Sequence, residues 1–338
     1  MGLFSRTTLS ERSEQAAQKT LANIRAQRRS RFRILACIDN TEASYDTVRF
    51  AARLSPHSNC DIVIVFVRPI DQGLRTGGLN VMVARQNLLD AGGELPGLAA
   101  LKKGLEVLKE EGIDTSEWTR RSDHEDAWGD PVGDNKVVFK SEDGRRVVLK
   151  LKTAPDVAAG ILDQYEHGPY NLIIMHEPSR WRGEFSSMFG GVGVVQRVTA
   201  LAPCSVMIAR PESLENEGFL IYNDGTARAM QAIRRTAVLA QSVEQPITLI
   251  AVAADEDDRK EAQEHNRNAK EMLAALGIEV RRVTTAIGDP VIQIIRAGAK
   301  RQIIVVPDEG HSRLKRAIKG SIAYDVIKGA VTSVIDVR

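Results

Sequence analysis

The chain has 338 residues, enough for two domains with full cores, and its 43% apolar and 27% charged content is that of an ordinary globular protein. The formal charge of +2 names no nucleic-acid partner, and no run approaches the roughly 20 apolar residues of a membrane span. Three scattered cysteines (Cys37, Cys60, Cys204) without CxxC spacing exclude a disulfide framework and suit a reducing cytoplasm, the localisation expected.

The charge is unevenly distributed. Residues 1–34 hold eight basic side chains against Glu11 and Glu14, leaving the remainder mildly acidic. We treat residues 1–31 as a basic extension, helical or disordered. Thr8 and Glu11 stand at capping-box spacing, and Ala16, Ala17, Leu21 and Ile24 give a thin apolar stripe over residues 8–29. Such a tail suits an acidic partner or an anionic membrane surface, with Leu3 and Phe4 as wedges; equally it suits a solubilising arm.

From residue 34 onward the sequence repeats itself. LACIDNTEASYDTVRFAARLS (35–55) matches LIYNDGTARAMQAIRRTAVLA (220–240) at an offset of 185, aligning Asp39 with Asp224 and Thr41 with Thr226. The following strands, DIVIVFV (61–67) and ITLIAV (247–252), keep that offset. NLIIMHEP (171–178) and QIIVVPDE (302–309) match at 131, so the first copy carries 54 additional residues.

Each copy alternates Val/Ile/Leu-rich runs with amphipathic stretches, which predicts α/β domains with mainly parallel, doubly wound, Rossmann-like sheets. The boundaries expected are 32–212, with insertions at 68–97 and 120–152, and 217–338. In copy one, helices are predicted near 43–55, 98–112 and 155–165, with a last strand near 204–209. In copy two, strands are predicted at 218–223, 246–252, 278–284, 302–306 and 333–337, with helices at 227–240, 257–275, 289–299 and 321–329.

Within the insertion, KVVFKSEDGRRVVLKLK (136–152) alternates around Asp143-Gly144 and predicts a hairpin that extends the sheet edge or projects as an arm. SDHEDAWGDPVGD (122–134) concentrates His124, Glu125, Asp126 and Asp130 without metal-ligand spacing and reads as a solvated acidic loop. Pro155 falls on Pro290 as a helix opener.

Ligands of open α/β sheets lie beyond the carboxyl ends of the strands. There, Gly310 permits close approach of backbone, and Gly320-Ser321 opens a helix whose N-terminus favours phosphate. Asp224 offers hydrogen-bond acceptors for a ribose or base. Turn glycines and plain helix caps account for the same residues individually. Lys315, Arg316 and Lys319 screen phosphates or form a solvated face.

The spacing of Gly310, nine residues and Gly320-Ser321 resembles the ATP-binding loop of universal stress proteins. ILACIDNTEAS resembles that family's first strand and turn, IGDP (287–290) its helix opening, and APCSVMIAR (202–210) its closing strand. The resemblance covers both copies, 34–210 and 217–338. It implies an adenine nucleotide alpha hydrolase-like five-stranded fold, pairing through the last strands as an intramolecular pseudo-dimer, and a regulatory stress-response role. It also implies ATP or AMP bound by Asp224, Val252 (through its backbone), Gly310, Gly320 and Ser321.

Copy two departs at Pro307, where the family has the loop's first glycine. Copy one departs further, with Glu177 and Arg180 at the early glycines and Gly190-Gly191 as the closing pair, and is expected to be degenerate. A nucleotide-free scaffold working through the insertion and tail is the alternative. Further homodimerisation is compatible with either. No GxSxG, Walker, HExxH or metal-spaced Cys/His pattern occurs. An enzyme is therefore not expected, slow ATP hydrolysis with His311 near a phosphate being the residual possibility; of the other histidines only His176 falls near a strand end.

Overall fold

The computed structural model describes residues 31–55, 59–70, 97–127, 130–165, 169–177, 193–213, 217–298, 303–308 and 321–338. In the first half these form β1 (Phe32–Ile38), a 3-10 turn (Glu42–Tyr45), α1 (Asp46–Arg53), β2 (Cys60–Pro69), α2 (Leu98–Glu110), β3 (Thr119–Ala127), β4 (Asp130–Lys140), β5 (Arg146–Ala154), α3 (Val157–Asp163), β6 (Leu172–His176), α4 (Val194–Leu201) and β7 (Ser205–Ala209). The second half holds β8 (Phe219–Tyr222), α5 (Ala227–Ser242), β9 (Ile247–Ala253), α6 (Arg259–Ala275), β10 (Arg282–Ile287), α7 (Pro290–Gly298), β11 (Ile303–Pro307), α8 (Ile322–Gly329) and β12 (Val334–Val337).

All twelve strands join one sheet, in the order β10-β9-β8-β11-β12-β7-β6-β1-β2-β5-β4-β3. Each half contributes five parallel strands in the same doubly wound order, β10-β9-β8-β11-β12 and β5-β2-β1-β6-β7. The halves meet where β7 and β12 pair antiparallel, Ile208 opposite Val334 and Val206 opposite Asp336. Buried Val, Ile and Leu side chains alternate between two layers that run through both halves. One layer packs under α1, α2, α5 and α6, the other under α3, α4, α7 and α8.

Two arginines lock the seam reciprocally. Arg210, fully buried, donates to Thr332 O at 2.9 Å and to Ile327 O at 2.6 Å, at the carboxyl end of α8, while its backbone N–H reaches Ser333 Oγ at 2.8 Å. Arg338 donates across to Thr199 O and Ala202 O at the carboxyl end of α4, and its backbone N–H to Ser205 Oγ at 3.3 Å. Each guanidinium therefore caps the negative end of the opposite half's helix. Glu177 adds a carboxylate at 3.2 Å from Arg210 Nη2.

Two expectations change. Residues 119–127 are strand β3, paired antiparallel with β4, rather than an acidic loop. The alternation that would signal a half-buried strand is missing there because Thr119–His124 are exposed throughout. In copy two the edge strand lies at Arg282–Ile287 instead of 278–284. The apolar residues that suggested the earlier start belong to the end of α6: Gly277 adopts φ +72°, and Ile278, its N–H bonded to Leu273 O at 2.9 Å, folds back into the core. The hairpin around Asp143-Gly144 forms as expected, β4 pairing β5, and extends the sheet edge.

Candidate functional site

Both copies begin with the same turn. Asp39 Oδ1 accepts from Thr41 N at 3.1 Å and Thr41 Oγ1 at 2.6 Å; Asp224 Oδ1 accepts from Thr226 N at 2.9 Å and Thr226 Oγ1 at 2.6 Å. Each Thr in turn caps the helical turn that follows, Thr41 for the 3-10 segment and Thr226 for α5. Between them stand Asn40 (φ 72°) and Gly225 (φ 77°), both in the left-handed region that these two residue types tolerate. The carboxylates thus organise the turn, and the threonines do the capping.

The turns differ in what happens to the second carboxylate oxygen. In copy one, Asp39 Oδ2 lies 3.2 Å from His176 Nε2 at the end of β6. Burial raises the Asp39 carboxyl, but the bonds to His176 and Thr41 and the histidine's charge outweigh it and hold the group well below the ordinary carboxylate range. In copy two the position matching His176 by sheet register is Pro307, without a polar side chain and buried at the end of β11. Asp224 Oδ2 has no hydrogen bond or ion pair among the described residues.

Copy two brings three of the expected site residues to one edge and one face. Tyr222 and Ile250 pair across β8 and β9, so Asp224 and Val252 fall level just beyond, at the carboxyl ends of neighbouring strands. Leu220 and Tyr222 point into the layer under α7 and α8, and alternation carries Asp224 to that side. Val252, half-buried, packs on the same layer, as does Ile322 of α8. Ser321 caps α8, its Oγ accepting from Tyr324 N at 3.1 Å. Since α8 crosses over between parallel β11 and β12, its N-terminus lies at the strands' carboxyl edge. This edge is at the point where strand order reverses between β8 and β11.

Gly288-Asp289-Pro290 opens α7 on that same side, Asp289 Oδ1 accepting from Ile292 N at 3.0 Å. Gly310 and Gly320, with the rest of 309–320, lie outside the described residues, as do Arg180 and Gly190-Gly191.

The donor set suits an adenine nucleotide: an available carboxylate oxygen for ribose hydroxyls, an apolar strand end for the base, and a helix N-terminus with a hydroxyl for phosphate. Copy one does not present it, because His176 occupies the carboxylate.

Two features escaped the sequence. His265 of α6 sits against Gly225 so closely that a Cβ there would lie 2.3 Å from its Nε2. Glu177, placed by the sequence at an early loop-glycine position, faces Arg210 of the seam clamp. Only the hidden alignment of Arg210 with Arg338, 128 residues apart, hinted at such a device. Among the described residues no group of His, Cys, Asp and Glu forms a metal site, and no helix is long and apolar enough to cross a membrane.

No protein-family model and no curated protein matches this sequence. Solved structures do match. A universal stress protein from Archaeoglobus fulgidus DSM 4304 is similar at a TM-score of 0.59 and 17% identity, over 90% of this chain and 96% of that one. A putative universal stress protein from Pseudomonas aeruginosa UCBPP-PA14 is similar at 0.56 and 14% identity, over 92% and 94% of the two chains. A functionally unknown protein from Pseudomonas aeruginosa PAO1 is similar at 0.55 and 14%, over the same shares. The chain therefore has the fold of universal stress proteins along nearly its whole length, in two tandem units.

Proposed function

We propose that the chain is a tandem universal stress protein that works as a cytoplasmic regulatory module, its second half binding an adenine nucleotide, ATP or AMP. In this reading Asp224 Oδ2 accepts from the ribose hydroxyls, the Val252 backbone meets the base, and Ser321 with the α8 N-terminus holds phosphate. Gly310 and Gly320 would supply bare amides from the loop between β11 and α8. The bound nucleotide supplies charge and shape that bias contacts elsewhere, not a reactive centre. The first half serves as structural partner in the pseudo-dimer.

The observation that carries this reading is the difference between the two aspartates. Asp39 is closed by His176 at 3.2 Å, whereas Asp224, with Pro307 in the histidine's place, keeps an oxygen available at the switch point.

The test begins by heat-denaturing freshly purified protein and identifying released adenine nucleotides by mass spectrometry. Calorimetric titration with AMP and ATP follows. Asp224→Asn should weaken binding at least about tenfold, close to 1.4 kcal/mol, and Gly320→Glu should abolish it, while Asp39→Asn leaves it unchanged. Equal loss in Asp39→Asn and Asp224→Asn would defeat the assignment to the second half.

A nucleotide-free scaffold is favoured by one observation, the exposure of every residue from Thr119 to His124 on an added edge strand. It requires that neither released nor titrated nucleotide be found. Turnover of ATP that survives in Gly320→Glu would remove a weak ATPase at this site.

A further inference from the structure

A cleft of 790 Å³ opens on the α1/α5 side of the seam, whereas the nucleotide reading concerns the α7/α8 side of the second half. Its volume lies within the roughly 300–1,000 Å³ usual for small-molecule sites, and a junction between two units is where such sites recur. The floor is apolar: Phe32, Leu54, Leu172, Ile335 and Val337 line it and belong to the core layer beneath. Phe32, Cys60, Leu172 and Ser205 each begin a strand, so the first half meets the cleft with its amino edge.

Charge is confined to one wall. Among the described residues no Asp or Glu side chain lines the cleft, and the first half's share of the lining holds no Lys or Arg either. Its two thiols are neutral, burial pushing Cys60 up to about 11 and Cys204 up to about 12. The opposite wall is α5, which carries Arg228, Arg234 and Arg235 and no acid. Arg234 and Arg235 line the cleft, with Arg338 beside them. Arg338 is answered by Asp336 at 3.0 Å and Asp308 at 3.9 Å, and Arg235 donates to Arg338 O. Arg234 makes no hydrogen bond or ion pair among the described residues. One turn on, on the same helix face, Val238 lines the cleft and is 55% exposed.

This arrangement selects a ligand with two unlike ends. A purely apolar molecule leaves the Arg234 guanidinium unanswered, a small inorganic ion leaves the floor uncovered, and a polyanion meets a neutral wall on the far side. We propose that the cleft binds an amphiphilic monoanion of the fatty-acid class, its carboxylate at Arg234 and its chain over the floor toward Phe32 and Leu172. The bound molecule touches both halves and strengthens the seam.

Calorimetric titration of the full-length protein with dodecanoate tests this, with dodecanol and butanoate as tail-only and head-only comparisons. Dodecanoate is expected to occupy a single site. Dodecanol and butanoate should each bind at least about tenfold more weakly, the first lacking the charge-assisted bond and the second most of the apolar burial. Arg234→Glu and Val238→Asp should each weaken dodecanoate at least about tenfold. Both side chains are exposed, and an unchanged urea midpoint without ligand is the folding control. Dodecanoate should raise the urea midpoint of the wild type and leave that of either variant where it was. Failure of the wild type to bind dodecanoate overturns the proposal. So does dodecanol binding as tightly as dodecanoate, which would leave the charged wall without a part, or an affinity indifferent to both substitutions, which would place the ligand elsewhere. Asp224→Asn should leave dodecanoate affinity unchanged, so this result and the nucleotide reading stand or fall separately; a matching loss in Asp224→Asn would move the ligand to the other site and defeat the assignment.

Discussion

At the scale of single residues, two aspartates with identical turns have different fates, and the cause is one side chain. His176 approaches Asp39 Oδ2 at 3.2 Å, while Pro307 leaves its counterpart alone. Because the Asp39 carboxyl is held below its unfolded value of about 3.9, its contribution to stability is full above that pH and lost as pH falls further through the lower folded value. We therefore expect the loss in urea midpoint between pH 6 and pH 3 to be smaller in Asp39→Asn than in the wild type; equal losses would remove this role. Gly160 of α3 supplies a second case. A Cβ there would lie 2.5 Å from Val67 Cγ1 and 2.9 Å from Ala154 Cβ, so Gly160→Ala should overpack the contact between α3, β2 and β5. A cost of roughly 1–3 kcal/mol is expected in chemical denaturation.

Among the elements, the seam depends on arginines reaching over to helix ends. Arg210→Ala leaves Ile327 O, Thr332 O and the Glu177 carboxylate without their donor, and should destabilise by about 3 kcal/mol. Combining it with Arg338→Ala tests whether the two clamps act together: a sum well short of the singles would show shared loss of the seam. These devices were hardly legible in the sequence, because a partner 117 residues away leaves no local pattern. What was legible rests on periodicity. The apolar runs of β1, β2, β6, β8, β9 and β11 and the caps at Thr41, Thr226 and Ser321 signal themselves over a few residues. Strand β3 did not, since an edge strand exposed on both faces needs no apolar alternation and looks like loop. Within the site, Asp224 and Val252 could be paired from the repeat, yet the plug at Asp39 needed His176 placed beside β1 by the sheet order.

At the scale of the whole molecule, pairing of β7 with β12 makes two similar units into one sheet with continuous layers on both sides. Cutting the connection between the halves at an engineered protease site near 214–216 should accordingly leave a nicked protein that elutes as one species and unfolds in one transition. Separate fragments would show that the covalent link, rather than the seam, holds them. Joining the inner strands also leaves two unlike rims. One is β10, partly buried, with Val283 exposed between Arg282 and Thr284; the other is β3, which presents Arg120, Arg121 and Asp123 to water. A further molecule adding strand to strand would meet a ragged ionic margin at one end and a plain β-forming one at the other. Stacking head to tail is discouraged by the charged margin, and among the described residues the border vulnerable to fibre growth is the six residues from Arg282 to Ile287.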